Sequence, residues 1–156
     1  MDNSKNKKIY IAGFDVFKDD AIKTGDKYKE ICKLYGFTGL YPLDNVAFNA
    51  NDIFKGDIRL IDESDIIVAN LNNFRGQTMD DGTAFELGYG YALGKLLYGY
   101  MDDDRSMREK IGYKDSEGYN VEDFDKPINL MIAQSTKIVK GDFESCVKRL
   151  KRDLTK

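Results

Sequence analysis

Four consecutive apolar residues, Ile66-Ile67-Val68-Ala69, stand between Asp65 and Asn70 near the middle of the chain. A short run of this kind, rich in β-branched residues and closed by polar ones, reads as a strand. It does not alternate polar with apolar, so both of its faces must be covered. A strand covered on both faces needs helices above and below it, the arrangement of a parallel α/β sheet.

The remaining segments fit that demand. Residues 8–13, 38–43, 65–70, 96–101 and 137–139 read as strands, and 19–35, 51–64, 83–95 and 143–154 as helices, in near-regular alternation. The pattern predicts one α/β domain over residues 1–156: a three-layer sandwich of flavodoxin-like or Rossmann-like form with a mainly parallel, five-stranded sheet. Gly25 predicts a break in the first helix, and the glycines at 88, 90 and 94 weaken the third unless they serve close packing. Residues 101–125 are charged and poor in core pattern, and read as a surface loop or lid with a short helix near Arg105–Lys110. Asp102-Asp103-Asp104 within it lacks the twelve-residue calcium-loop pattern and reads as a solvated turn.

Composition narrows the chemistry. With 24 basic against 27 acidic residues there is no positive excess to hold a nucleic-acid polymer. No apolar run approaches the roughly 20 residues that span a membrane. The polar start, Met1 to Lys8, lacks the apolar middle of a secretory signal, and Cys32 and Cys146 lie far apart on predicted helices. They read as reduced core residues, and the expected location is cytoplasmic. The chain has no histidine, which excludes Ser-His-Asp and Cys-His catalysis and the common His-based zinc sites. Proton transfer must fall to Asp, Glu, Lys, Tyr or water.

Attention therefore turns to the carboxylates. Asp80, Asp81 and Glu86 follow the central strand, on the loop and first turns of a helix, where α/β sheets place their ligands. Glu86 stands among Phe85, Leu87 and Tyr89, and a carboxylate in apolar company is costly unless paired or used. A helix acid favoured by the dipole is the plainer account. Asp57 stands among Ile53, Phe54 and Ile61, and by itself reads as a solvated helix acid. Gly13 ends the first strand in the manner of a phosphate-binding turn, but Gly-x-Gly-x-x-Gly is absent, so no dinucleotide site is inferred. Phe14, Phe17 and Phe48 are candidates to stack on a planar ligand, with core packing as the commoner role of a phenylalanine. Arg75, in Asn72–Gln77, reads either as a surface residue or as a phosphate ligand.

The pattern Asp80-Asp81-Gly82-Thr83-Ala84-Phe85-Glu86-Leu87-Gly88 resembles the core motif of the nucleoside 2-deoxyribosyltransferase family. Ile9-Tyr10-Ile11-Ala12-Gly13, Tyr41-Pro42-Leu43-Asp44-Asn45 and Lys126-Pro127-Ile128-Asn129-Leu130-Met131 agree in order, so the likeness runs from about residue 9 to 131. The resemblance implies transfer of 2-deoxyribose between nucleobases in nucleoside salvage, with retention, through a deoxyribosyl-glutamate. It casts Glu86 as nucleophile, and Asp80 as the acid that protonates the leaving base and has a raised pKa. Asp81 is an alternative to Asp80. Tyr10 would orient Glu86, and Asp57 would bind the base or relay its proton. Asn129 would reach the sugar 5′-hydroxyl of a neighbouring subunit's site, which implies a homo-oligomer built from dimers. The expected partners are deoxyribonucleosides and free nucleobases, with no metal or organic cofactor.

One residue departs from the pattern. Where some members carry a base-contacting glutamine, this chain has Val46. Two alternatives stand beside the transferase: a hydrolase of 2′-deoxynucleoside 5′-monophosphates, and a non-catalytic nucleotide-binding module.

Overall fold

Ile66–Asn70 forms strand β3 at the centre of the sheet, with all five residues buried. The computed structural model describes residues 6–156; the first five, and the expectation attached to the polar start, lie outside them. The other strands are β1 (Lys8–Ala12), β2 (Thr38–Leu40), β4 (Leu96–Met101) and β5 (Lys137–Lys140). Their order is β2-β1-β3-β4-β5, and every pairing is parallel. This is the flavodoxin-like order, in which the chain reverses direction across the sheet between β1 and β3 and opens a crevice at their carboxyl ends.

The α-helices among the described residues are α1 (Ala21–Leu34), α2 (Ala50–Glu63), α3 (Asp81–Ala92), α4 (Met107–Ile111), α5 (Leu130–Ser135) and α6 (Phe143–Leu154). Side-chain alternation along β3 divides the core. Ile66 and Val68 face Cys32 of α1 and Phe143, Cys146, Val147 and Leu150 of α6. Ile67 and Ala69 face Ile61 of α2 and Leu87 of α3. The two cysteines are free and buried in the first of these layers. Among the described residues no helix is long and apolar enough to cross a membrane.

Several local expectations need correction. Helix α1 runs through Gly25 without a break, because the Tyr41 ring packs where a Cβ would stand, 2.2 Å away. Ile22 and Leu34 of this helix are exposed, so its apolar residues do not all face the core. Strand β2 stops at Leu40, and Pro42–Asp44 forms a 3₁₀ turn in which Asp44 accepts from the Tyr41 N–H. Proline has no N–H to continue a ladder. Helix α3 starts at Asp81 rather than Thr83 and ends at Ala92, because Asp80 caps it and Gly94 turns left-handed at φ 70°. The glycines within α3 differ. Gly90 lies against Ile67 with no room for a Cβ, while Gly88 faces open space. The 101–125 segment carries α4, capped by Ser106, and is anchored by buried Val121.

Candidate active site

Asp80 marks the step from loop to helix. Its Oδ2 accepts from the Thr83 backbone N–H at 2.9 Å and from the Thr83 hydroxyl at 2.7 Å, and Thr83 is fully buried. The cap fixes the first turn of α3, and Glu86, about one and a half turns into the helix, is directed towards β1. There the Tyr10 hydroxyl, on a side chain with no exposed area, donates to Glu86 Oε2.

Glu86 lines a cleft of about 320 Å³ on the α2–α3 side of the sheet, with Tyr10 buried behind it. Asp57, Asp80 and Glu86 supply its acids. Phe17, Pro42, Phe54, Ile58 and Phe85 supply apolar wall, with the Phe54 and Phe85 rings 6.1 Å apart and tilted. Gly13 lies at the edge with φ 147°, a backbone conformation that favours glycine. A Cβ there would come within 2.7 Å of Asn70 Cβ, so glycine lets the β1 and β3 ends meet.

Two of the acids hold their protons unusually well. Burial pushes Glu86 up to about 8; the Tyr10 hydrogen bond opposes the shift, and the charges of Asp57 and Asp80 add to it. Burial pushes Asp57 up to about 6, and its Oδ1 is enclosed with no hydrogen-bond partner. Tyr10 is itself raised, by burial first and then by Glu86 and Asp57. Water is thus largely replaced by apolar wall around these acids, which is the condition under which a carboxylate keeps its proton. The raised carboxyls are therefore Glu86 and Asp57.

The structure brings together Tyr10, Gly13, Phe17, Asp57, Asp80 and Glu86 from the sequence-derived set. Asp57 is not the solvated helix acid of the plainer account. Four candidates fall elsewhere. Asp81 is exposed on the first turn of α3, outside the cleft lining. Phe14 borders a separate polar groove beside α1 and α6, and Phe48 projects 94% exposed. Asn129 caps α5 and donates to Glu122 at 3.0 Å, outside the cleft lining. Val46 is exposed as well.

The sequence reading missed Phe54, Phe85 and Pro42 as cleft walls. Phe54, Ile58 and Ile61 of α2 line the cleft together with Asp57. The pair Phe54 and Asp57, one turn apart, is the signal that was available. Arg75 lies over the Phe17 and Phe74 rings, at 5.1 and 4.5 Å.

The family described as nucleoside 2-deoxyribosyltransferase matches residues 9–131. A 2-desoxiribosyltransferase from Leishmania mexicana is 38% identical and superposes with a TM-score of 0.86 over 94% of this chain and 97% of that one. A 2-deoxyribosyltransferase from Bacillus psychrosaccharolyticus is 26% identical, with a TM-score of 0.59 over 87% of each chain. An uncharacterized protein of Schizosaccharomyces pombe is 39% identical over 113 residues, 66% of this chain and 54% of the relative, so this chain spans about half the length of that curated protein. The chain belongs to the nucleoside 2-deoxyribosyltransferase family.

Proposed function

We propose that the protein moves 2-deoxyribose from one nucleobase to another, with Glu86 as the covalent carrier. The observation that carries this reading is the Tyr10–Glu86 hydrogen bond at the edge of an apolar cleft that also holds Asp57 and Asp80. A binding module has no need of three crowded carboxyls with two raised pKa values; a glycosyl-transfer site does.

In the first step the free oxygen of the Glu86 carboxylate attacks C1′ of the donor. The C1′–N bond breaks, its electron pair stays with the base, and a proton reaches the base nitrogen. Asp80 delivers that proton, with Asp57 on the base side as relay. In the second step a nitrogen of the acceptor base attacks C1′, the Glu86 oxygen leaves, and the acceptor's proton returns to the acid. Two inversions give retention. Tyr10 donates to one oxygen throughout, so the other faces the sugar.

The proton inventory supports this scheme. At neutral pH the buried cluster holds a proton that exposed carboxyls would have lost. In this scheme that proton leaves Glu86, which frees the nucleophile, and passes by way of Asp57 and Asp80 to the leaving base. The apolar walls exclude water, which favours a base over water as acceptor.

Asn129 completes the site in this reading, as a contribution of the partner subunit to the sugar 5′-hydroxyl. Exposed Tyr91 and Met131, around a shallow apolar depression between α3 and α5, supply the area for such a contact. The working assembly is then a homo-oligomer built from dimers.

Base exchange tests the function. Deoxyinosine and free cytosine are incubated with the protein and the products separated by chromatography. Deoxycytidine should form, and Glu86→Ala should abolish it. Free hypoxanthine alone would indicate hydrolysis, and no turnover of any donor would end the proposal.

A further inference from the structure

Phe17 is the most exposed of the three aromatic walls of the cleft. It sits on a four-residue 3₁₀ turn, Phe14–Phe17, and its side chain is 59% exposed. An aromatic ring on so short a turn has little of its own element to pack against. Left free, it would have to be ordered each time a ligand entered, at a cost in affinity.

The ring is not left free. Phe74, on the loop between β3 and α3, lies parallel to it, with centroids 5.4 Å apart and planes 9° off parallel. Phe74 is also parallel to Phe14, at 4.9 Å and 5°. The Arg75 guanidinium lies 5.1 Å from the Phe17 centroid and 4.5 Å from that of Phe74. Three aromatic rings and a cation thus tie the β1–α1 turn to the β3–α3 loop.

The loop that carries the clip is itself fixed. Asn70 Oδ1 accepts from the Asn72 N–H and side-chain amide, and Asn70 donates to buried Asp15 at 3.0 Å. The Phe74 N–H donates to Thr78 O at 2.8 Å, which closes the loop on itself. Arg75 has φ 52°, a left-handed conformation uncommon for a residue with a Cβ, and Gly76 follows at φ 146°. A conformation of that kind persists when the surroundings hold it, and it marks a segment with a task. The same loop ends at Asp80, the α3 cap within the cleft.

We infer that Phe74 and Arg75 are positioning residues that act through Phe17, setting the wall on which the nucleobase lies in register with Asp80 and Glu86. The inference rests on the reading of the cleft as a nucleoside site. It adds two residues that touch neither the sugar nor the reacting atoms.

The chain has no tryptophan, so Phe17→Trp installs a single fluorescent reporter in the wall. Titration with deoxyinosine should quench it saturably. Phe74→Ala in that background should weaken deoxyinosine binding by roughly two- to ten-fold, the value of one aromatic pair. Phe74→Tyr should restore it, and Arg75→Ala should fall between. In otherwise wild-type protein, the same loss should appear in KM, with kcat changed by less than about two-fold. Unchanged affinity in Phe74→Ala, no rescue by tyrosine, or no quenching at position 17 would overturn the inference. Should Phe74→Ala not fold, unchanged affinity in Arg75→Ala would overturn it equally. Saturable quenching without base exchange in the wild-type protein would sink the transferase reading and leave the clip standing.

Discussion

At the scale of single residues, Tyr10 and Glu86 define what the cleft can do. Burial raises the Glu86 carboxyl to about 8, and the Tyr10 hydrogen bond holds it below where burial alone would take it. Removal of the hydroxyl in Tyr10→Phe should therefore move the upper limb of the pH profile of kcat/KM upward from about 8. The rate should fall by roughly ten- to a hundred-fold, the value of a hydrogen bond to a charged group. The wild-type profile should be bell-shaped, with limbs near 6 and 8 that belong to the coupled cluster rather than to one acid. The same shift bears on stability. The folded-state pKa of Glu86 lies above its ordinary value of 4.5, so the folded protein loses stability as pH rises from about 4.5 through about 8. Glu86→Gln mimics the neutral form, and its melting temperature should gain on the wild type across that window. Thermal melts at pH 5 and pH 9 that show the same difference would contradict the burial account. These residues were only partly legible in the sequence. Glu86 betrayed itself by apolar neighbours, but Asp57 looked like any helix acid. Its enclosure comes from α3 and the β1 loop, which lie far from it in the chain.

At the scale of elements, helix α3 does two jobs at one residue. Asp80 caps the helix through Oδ2, and the same carboxyl lies in the cleft. The roles separate by substitution. Asp80→Ser keeps a capping oxygen and removes the carboxyl, so stability should change by less than about 0.5 kcal/mol while base exchange falls about a hundred-fold or more. Asp80→Ala should lose both, with about 1 kcal/mol of stability gone. Denaturation curves beside rate measurements read the two apart. Helix α1 and the turn after β2 meet at Gly25 and Tyr41, where Gly25→Ala should cost about 1–3 kcal/mol by overpacking, measured as a lower melting temperature. Element patterns explain what could be read in advance. Strand β4 and helix α6 end where their hydrophobic periodicity ends. The short edge strand β2 and the unbroken α1 depend on Tyr41, whose position no local pattern discloses.

At the scale of the molecule, a parallel sheet of order β2-β1-β3-β4-β5 places its crevice where the connections after β1 and β3 part, and the cleft that Glu86 lines is bordered by Gly13 after β1 and Asp80 after β3. The apolar run of β3 was enough to demand helices on both faces, and that demand fixed the fold class. It was silent on Phe54 and Phe85, since cleft walls and core positions share one hydrophobic signature. The assembly is the remaining level. If Asn129 serves a partner's site, Met131→Glu with Tyr91→Glu should yield monomers in sedimentation and lose base exchange while keeping the fold. Active monomers would remove Asn129 from the shared-site role.

The covalent carrier is the central claim, and it has a direct test. The protein is mixed with a deoxynucleoside donor and no acceptor, quenched in acid, digested and mapped by mass spectrometry. The account predicts a deoxyribosyl adduct on the peptide that carries Glu86, removed by added nucleobase and absent from Glu86→Gln. Base release with no adduct, or an adduct that survives in Glu86→Gln, would contradict it.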